Sequence, residues 1–391
     1  MNLYLGLMSG TSMDSIDAAL LQIGSDGAMR LHAAHQRDWP VALQQRLRHA
    51  AEDPGDIGLA QLGALDTTVA IEFALAAEGL LRSAAVPADA VRAIGSHGQT
   101  LLHQPRGAAP FTLQIGDPNI IAERLGIDVV ADFRRRDLAA GGEGAPLMPA
   151  FHAAAFGAPG RTRALVNIGG IANVTVLGAD GSVIGFDTGP GNCLMDAWSR
   201  RHLQRPYDDN GSWAAGGTVH EGLLARLLAD PYFSRPAPKS TGRDAFSDAW
   251  LERALAYGAT PGAAALAPAD VQATLAELTA YSIASSLQRA AALASTGGHE
   301  QVLEQVFICG GGACNADLMA RLARALPHSR IDTTERCGIA PGHVEAAGFA
   351  WLAYRYLAGL PGNLPAVTGA RHAVPLGALY RGRLGAAAGS R

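Results

Sequence analysis

Cysteine is scarce in this chain of 391 residues: Cys193, Cys309, Cys314 and Cys337 are the four present, and no two form a CxxC pair. The start has neither the basic segment nor the long apolar segment of a signal peptide, so the cytoplasm is the expected compartment. No uninterrupted apolar run approaches the ~18 residues a membrane helix needs, and no membrane partner is expected. The twelve histidines form no HExxH motif, which removes the commonest signature of a catalytic zinc. A formal charge of -4 gives no general basic surface, so nucleic acid is not an expected partner either. Lysine is the scarcest of all: 31 residues are basic, and Lys239 is the only one that is not arginine. In a chain that uses arginine wherever either charge would serve, the one lysine has two readings: a crowded site that needs a compact point donor, or chance survival on a loop. No GxxxxG precedes Lys239, so it is not a P-loop lysine.

What is present is a well-buried α/β composition, with 48% hydrophobic residues, 17% charged residues and 47 glycines. The length invites two domains. The segment Gly6-Leu7-Met8-Ser9-Gly10-Thr11-Ser12-Met13-Asp14-Ser15-Ile16-Asp17 runs from an apolar strand into a small-residue turn carrying hydroxyls and carboxylates. Bare backbone there lets N–H groups approach an anion, while Asp14 and Asp17 can face an accompanying divalent cation. The chain resumes as an apolar strand, so this is a hairpin, unlike the Walker loop and the dinucleotide fingerprint, which each open a helix. A second hairpin of this kind turns at Gly169-Gly170, and a duplicated phosphate hairpin suggests two similar domains facing one nucleotide. A third turn, Gly310-Gly311-Gly312, follows a strand and precedes a helix, which suits an adenosine ribose or phosphate.

Strands are expected at Asn2 to Met8, Ala18 to Ile23, Val91 to Gly95, Thr112 to Ile115 and Asp128 to Ala131. Helices are expected near Leu62 to Ser83, Asp117 to Leu125, Asp270 to Ala294 and Val344 to Leu357, the last apolar almost all round. Asp187 ends a short strand and precedes Thr188-Gly189-Pro190-Gly191. That leaves its carboxylate at a turn with little steric cover, either for chemistry or to cap the helix that follows.

Beyond the two hairpins and the glycine turn, five segments together resemble the signatures of the anhydro-N-acetylmuramic acid kinase family, within the actin, sugar-kinase and heat-shock ATPase superfamily. They are Gly6 to Asp14, Ile94-Gly95-Ser96-His97-Gly98-Gln99-Thr100, Val130 to Asp137, Gly185 to Asn192 and Pro238-Lys239-Ser240-Thr241-Gly242-Arg243. Ser15 stands where the family has glycine. The resemblance implies an α/β, two-domain, actin-like ATPase (ribonuclease H-like) fold with its active site in the interdomain cleft. The domains would be 1–131 and 132–391, with the C-terminal tail free to join the first.

The resemblance further implies a kinase that uses ATP and Mg²⁺ to open and phosphorylate 1,6-anhydro-N-acetylmuramic acid, a small-molecule substrate, and that forms a homodimer. Asp187 is then the catalytic base. Gly10, Thr11, Ser12, Met13, Asp14, Ser15, Ile16, Asp17, Gly169, Gly170, Gly310, Gly311 and Gly312 hold the nucleotide. Asp14 comes before Asp17 as partner of the metal, directly or through water. His97, Arg136, Glu345 and Lys239 are the substrate contacts; of the candidates Arg134, Arg135 and Arg136 for the sugar's lactyl carboxylate, the resemblance puts Arg136 first. Two other readings stay open: another sugar or carboxylate kinase of the superfamily, and an ATP-driven switch without a small substrate.

Overall fold

The computed structural model describes residues 2–10, 13–242, 244–257, 265–293 and 303–382. Thr11, Ser12 and Arg243 therefore lie outside the described residues. In chain order the strands are β1 (Asn2–Met8), β2 (Ser15–Ile23), β3 (Met29–Asp38), β4 (Val91–Ser96), β5 (Gln99–Gln104), β6 (Phe111–Ile115) and β7 (Val129–Ala131). They continue as β8 (Arg163–Ile168), β9 (Ile171–Leu177), β10 (Val183–Pro190), β11 (Gln305–Cys309), β12 (Arg330–Thr333) and β13 (Ala378–Tyr380). Contacts divide the chain into two units, one made of Met1–Ala155 with His343–Arg391, the other of Phe156–Gly342.

One topology occurs in both. The first unit has the sheet order β13-β7-β4-β1-β2-β3 and the second β10-β9-β8-β11-β12. In the first, β1, β2 and β3 form an antiparallel meander, and β4 and β7 follow in parallel. In the second, β8, β9 and β10 repeat the meander, with β11 and β12 in parallel. This is the duplicated α/β arrangement of an actin-like ATPase, and it puts a hairpin turn at the same place in each sheet: after β1 and after β8.

The 25-residue helix Leu59–Ser83 carries its apolar residues at helical spacing, and Leu65, Val69, Phe73, Ala77 and Leu80 are buried in the first unit's core with Leu5, Leu7, Ile16 and Leu20. By length and composition alone it could cross a membrane; its buried stripe is instead the cover of the β1–β2 sheet face. On the other side the helix Val344–Leu357 lies directly against bare backbone. Gly6 of β1 and Gly95 of β4 are register partners. A Cβ on Gly6 would meet the carbonyl of Ala346, and one on Gly95 the carbonyl of Phe349. The two glycines form a window that lets the helix backbone approach the sheet, and this close approach places Glu345, in the helix's first turn, near the start of β2.

β1 and the helix Val344–Leu357 have the bounds expected from sequence. β3 was not expected: its residues are half-buried or exposed along their whole length, so it lacks the apolar face that marks a strand. The unit boundary lies at 155/156 and 342/343, not at 131/132. The physical reason is Asp137, which is fully buried. Its carboxylate accepts from Asn363 Nδ2 at 2.7 Å, Thr368 Oγ1 at 2.8 Å and the Gly144 N–H at 2.8 Å. These bonds tie the segment after β7 to residues near the C-terminus, inside the first unit. Removing the carboxylate would take the acceptor from the Gly144 N–H and leave Asn363 and Thr368 only their longer bonds, 3.4 Å to the His372 and Leu364 carbonyls.

Candidate active site

The turn after β1 is fixed from several sides. Trp39 Nε1 donates to Ser9 Oγ at 3.2 Å, Gln99 Nε2 to the Gly10 carbonyl at 3.3 Å, and Gln44 Nε2 to the Met13 carbonyl at 2.7 Å. Met13 N–H closes onto the Gly10 carbonyl at 3.0 Å. Met13 is the left-handed residue, with φ 55°, while Ser15 opens β2 opposite Asp38. Ser15 thus sits on extended backbone that any residue adopts. Ile16 is wholly buried and anchors the turn by packing.

Asp14 is exposed and has one long ion pair, 3.7 Å to Arg48. Asp17 is partly buried and accepts from Gln36 Nε2 at 3.1 Å. Burial, with a further push from the nearby Glu345 charge, raises Asp17 to about 6 against the Gln36 hydrogen bond. Among the described residues no group of three or more His, Cys, Asp or Glu could hold a metal ion by itself. Magnesium does not require one, since it binds through one or two carboxylates plus phosphate oxygens and water. The Asp14 carboxylate, exposed at the turn after β1, is chemically suited to be one such carboxylate.

A second group in this unit centres on His97 and Arg134. Asp132 turns the chain with φ 62° from β7 into the helix Phe133–Ala139, which carries all three arginines. Arg135 and Arg136 are exposed, Arg135 lying 3.5 Å from Asp132. Arg134 turns inward: its Nε donates to His97 Nε2 at 2.9 Å and its NH1 to the Gly144 carbonyl at 2.8 Å. An imidazole that accepts at Nε2 is neutral and carries its proton on Nδ1. Burial and the Arg134 charge hold His97 well below its usual range, in agreement with that tautomer. The ring packs on Phe349 at 4.7 Å between centroids. Burial lowers Arg134 to about 10, opposed by Glu345 and Asp137, and burial raises Glu345, opposed by Arg134. His97, Arg134 and Glu345 are therefore one electrostatic unit. Arg136, put first of the three arginines by the resemblance, is not part of it; Arg134 is.

In the second unit, three stretches of bare backbone converge. The Gly169 carbonyl accepts from Asn192 N–H at 2.8 Å and the Gly170 carbonyl from Gly191 N–H at 2.9 Å, which draws the β8–β9 turn onto the end of β10. Gly310 has φ 76°, and a Cβ there would run into Asn167 and Ile168 at the end of β8. Only glycine lets the Gly310-Gly311-Gly312 turn sit so close to the Gly169-Gly170 turn. Asn315 then caps the helix Ala316–Ala325, its Oδ1 accepting from Leu318 N–H at 2.9 Å.

Asp187 lies on β10 at a break in register with β9. Its Oδ2 accepts from Thr241 N–H at 3.0 Å. Among the described residues no donor meets Oδ1. Burial raises its carboxyl to about 6, the Thr241 hydrogen bond acting against the rise. A carboxylate with one oxygen held and one free, poised near neutral pH, has the form of a general base. Lys239 belongs to the same neighbourhood, but its ammonium faces main-chain carbonyls: Tyr232 O at 3.0 Å and Phe233 O at 3.4 Å. Tyr232, which sequence reasoning passed over, donates its hydroxyl to the Asp187 carbonyl at 2.7 Å.

The family model for anhydro-N-acetylmuramic acid kinase matches residues 2–382. A protein of that name from Shewanella pealeana is 49% identical over 381 residues, covering 97% of this chain and 98% of its own. Its namesake in Xanthomonas campestris pv. campestris is 49% identical over 380 residues, covering 97% of each chain. That of Xylella fastidiosa is 48% identical over 380 residues, 97% of this chain and 96% of its own. Matches of this depth over the whole length leave one conclusion: the chain belongs to the anhydro-N-acetylmuramic acid kinase family.

Proposed function

We infer that the protein is an ATP-dependent kinase that opens the 1,6-anhydro ring of 1,6-anhydro-N-acetylmuramic acid and phosphorylates O6, giving N-acetylmuramic acid 6-phosphate and ADP in peptidoglycan recycling. The observation that carries the chemistry is Asp187, with Oδ2 tied to Thr241 and Oδ1 free. In this reading Oδ1 takes a proton from a water that attacks the anomeric carbon. The C1–O6 bond breaks, and O6 takes the γ-phosphoryl group of ATP as ADP leaves. The departing alkoxide is a poor leaving group unless something accepts its charge, and the electrophilic phosphorus does so; no separate general acid is needed.

The turns at Gly10–Asp17, Gly169–Gly170 and Gly310–Gly312 hold the nucleotide through backbone N–H groups, the donors that phosphoryl transfer relies on. Magnesium, with Asp14 as its carboxylate, supplies charge neutralisation of the phosphates when bound. Glu345 and His97 line the sugar pocket. Arg134 holds the His97 ring in its tautomer, and Arg136, exposed at the rim of the same helix, is the arginine free to meet the lactyl carboxylate. The enzyme works in the cytoplasm as a homodimer.

The test is the product. With ATP, Mg²⁺ and the anhydro sugar, the sugar must gain both water and phosphate, and ATP consumption must depend on added sugar. Sugar-independent hydrolysis of ATP would mark a switch and not a kinase.

The pH dependence has a definite sign. Asp187 acts as a base only when ionised, and burial puts its carboxyl at about 6. The value of kcat/KM should therefore fall about tenfold per unit as pH drops below that value, and level off above it. Asp17 titrates in the same range, so Asp17→Asn is the control: the acid limb stays if Asp187 sets it.

A further inference from the structure

The lone lysine has no place in the mechanism above, and its surroundings explain it. Asp187 N–H donates to the Lys239 carbonyl at 3.0 Å. Lys239 Nζ donates to the Tyr232 carbonyl at 3.0 Å, and Tyr232 Oη donates to the Asp187 carbonyl at 2.7 Å. The three hydrogen bonds close a ring that ties Asp187 to Tyr232 and Lys239, which lie on one later segment. The Thr241 N–H that holds Asp187 Oδ2 lies two residues beyond Lys239 on the same segment. We propose that Lys239 is a positioning residue for Asp187, and that with Tyr232 it forms a brace fixing both the backbone and the carboxylate of the base. The proposal rests on Asp187 being the base.

The geometry also says why arginine does not serve. The ammonium sits 4.5 Å from the Tyr232 ring centroid while reaching two consecutive carbonyls, Tyr232 and Phe233, at the end of the short helix Pro231–Ser234. The Tyr232 carbonyl also accepts from Arg235 N–H at 3.2 Å, and its second lone pair meets the ammonium. Arg289 NH2 already occupies the Phe233 carbonyl at 3.2 Å, and Arg235 lies 5.7 Å from the Tyr232 ring. A third planar guanidinium would compete for the same space, whereas a point donor with three N–H groups fits between ring and carbonyls. Burial, with these two arginines, lowers Lys239 to about 8, as expected of an ammonium enclosed among cations.

The brace is tested with Lys239→Met and Tyr232→Phe, singly and together, in the full-length protein. Each should lower kcat by about ten- to a hundredfold through misplacement of the base, with KM for sugar and ATP within about twofold of wild type. The double variant should lose no more than the worse single one, because both break one ring. The acid limb of kcat/KM should move in both, since Thr241 no longer holds Oδ2 in place. A rise in KM at unchanged kcat would make Lys239 a substrate contact, and normal kcat in both variants would make it a bystander; either overturns the proposal. If Lys239→Met fails to fold, Tyr232→Phe, which loses a single hydroxyl, decides alone. Asp187→Asn separates the two levels. If it retains turnover, the assignment of the base fails; if it is inactive while the brace variants are normal, only the brace fails.

Discussion

Asp187→Asn lowers kcat by about two to four orders of magnitude, the usual weight of a general base, and leaves binding of ATP and sugar in place. The amide is isosteric, so it can still accept from Thr241 N–H through its oxygen, and the backbone bonds to Lys239 and Tyr232 do not involve the side chain. What it cannot do is take a proton from water. Steady-state kinetics with ligand affinities measured separately check this. Turnover near the wild-type value would remove Asp187 from the reaction, and loss of sugar affinity at constant kcat would make it a binding group.

Gly6→Val destabilises the protein by about 3 kcal/mol or more, a core overpacking at the upper end of its range, because neither partner in the collision is a flexible side chain. The added Cβ meets the Ala346 carbonyl and the Ala350 nitrogen, both in the backbone of the helix Val344–Leu357. The helix must move off β1, and Glu345 moves with it. Urea denaturation followed by circular dichroism reads the stability, and the residual folded enzyme should show a raised KM for the sugar. An unchanged midpoint would mean that the helix does not lie against β1 at Gly6.

The parts of the site legible in the sequence are those written in local pattern. A strand, a run of small residues and a second strand can be read at Gly10 and again at Gly169, because the apolar alternation and the turn residues are contiguous. Gly310 is readable for the same reason. The choice among Arg134, Arg135 and Arg136 is not, since successive residues on a helix point about 100° apart and the rotation is set by what the helix packs against. Here the packing turns Arg134 onto His97, a residue of another segment. Tyr232 is invisible for a different reason: it acts through its hydroxyl on a main-chain carbonyl, which carries no residue identity. Lys239 was conspicuous by its rarity, but its partners are carbonyls too, so composition marked the residue and only the fold gave it a task. β3 went unread because a half-exposed edge strand has little apolar signal, although its Gln36 reaches Asp17 in the candidate phosphate hairpin.

The central claim, that ring opening by water and phosphoryl transfer to O6 are one event, is tested most directly by reaction in ¹⁸O-labelled water. If water activated by Asp187 attacks the anomeric carbon, the label appears on the anomeric hydroxyl, and none appears on the oxygen bridging carbon 6 and phosphorus. Attack from the face opposite the departing oxygen also requires inverted configuration in the first-formed product, as in single-displacement glycoside hydrolysis. Both are read by mass spectrometry and rapid NMR before the product mutarotates. Label in the phosphate ester, or free unphosphorylated sugar accumulating ahead of the phosphorylated product, would contradict the account by showing two separate steps.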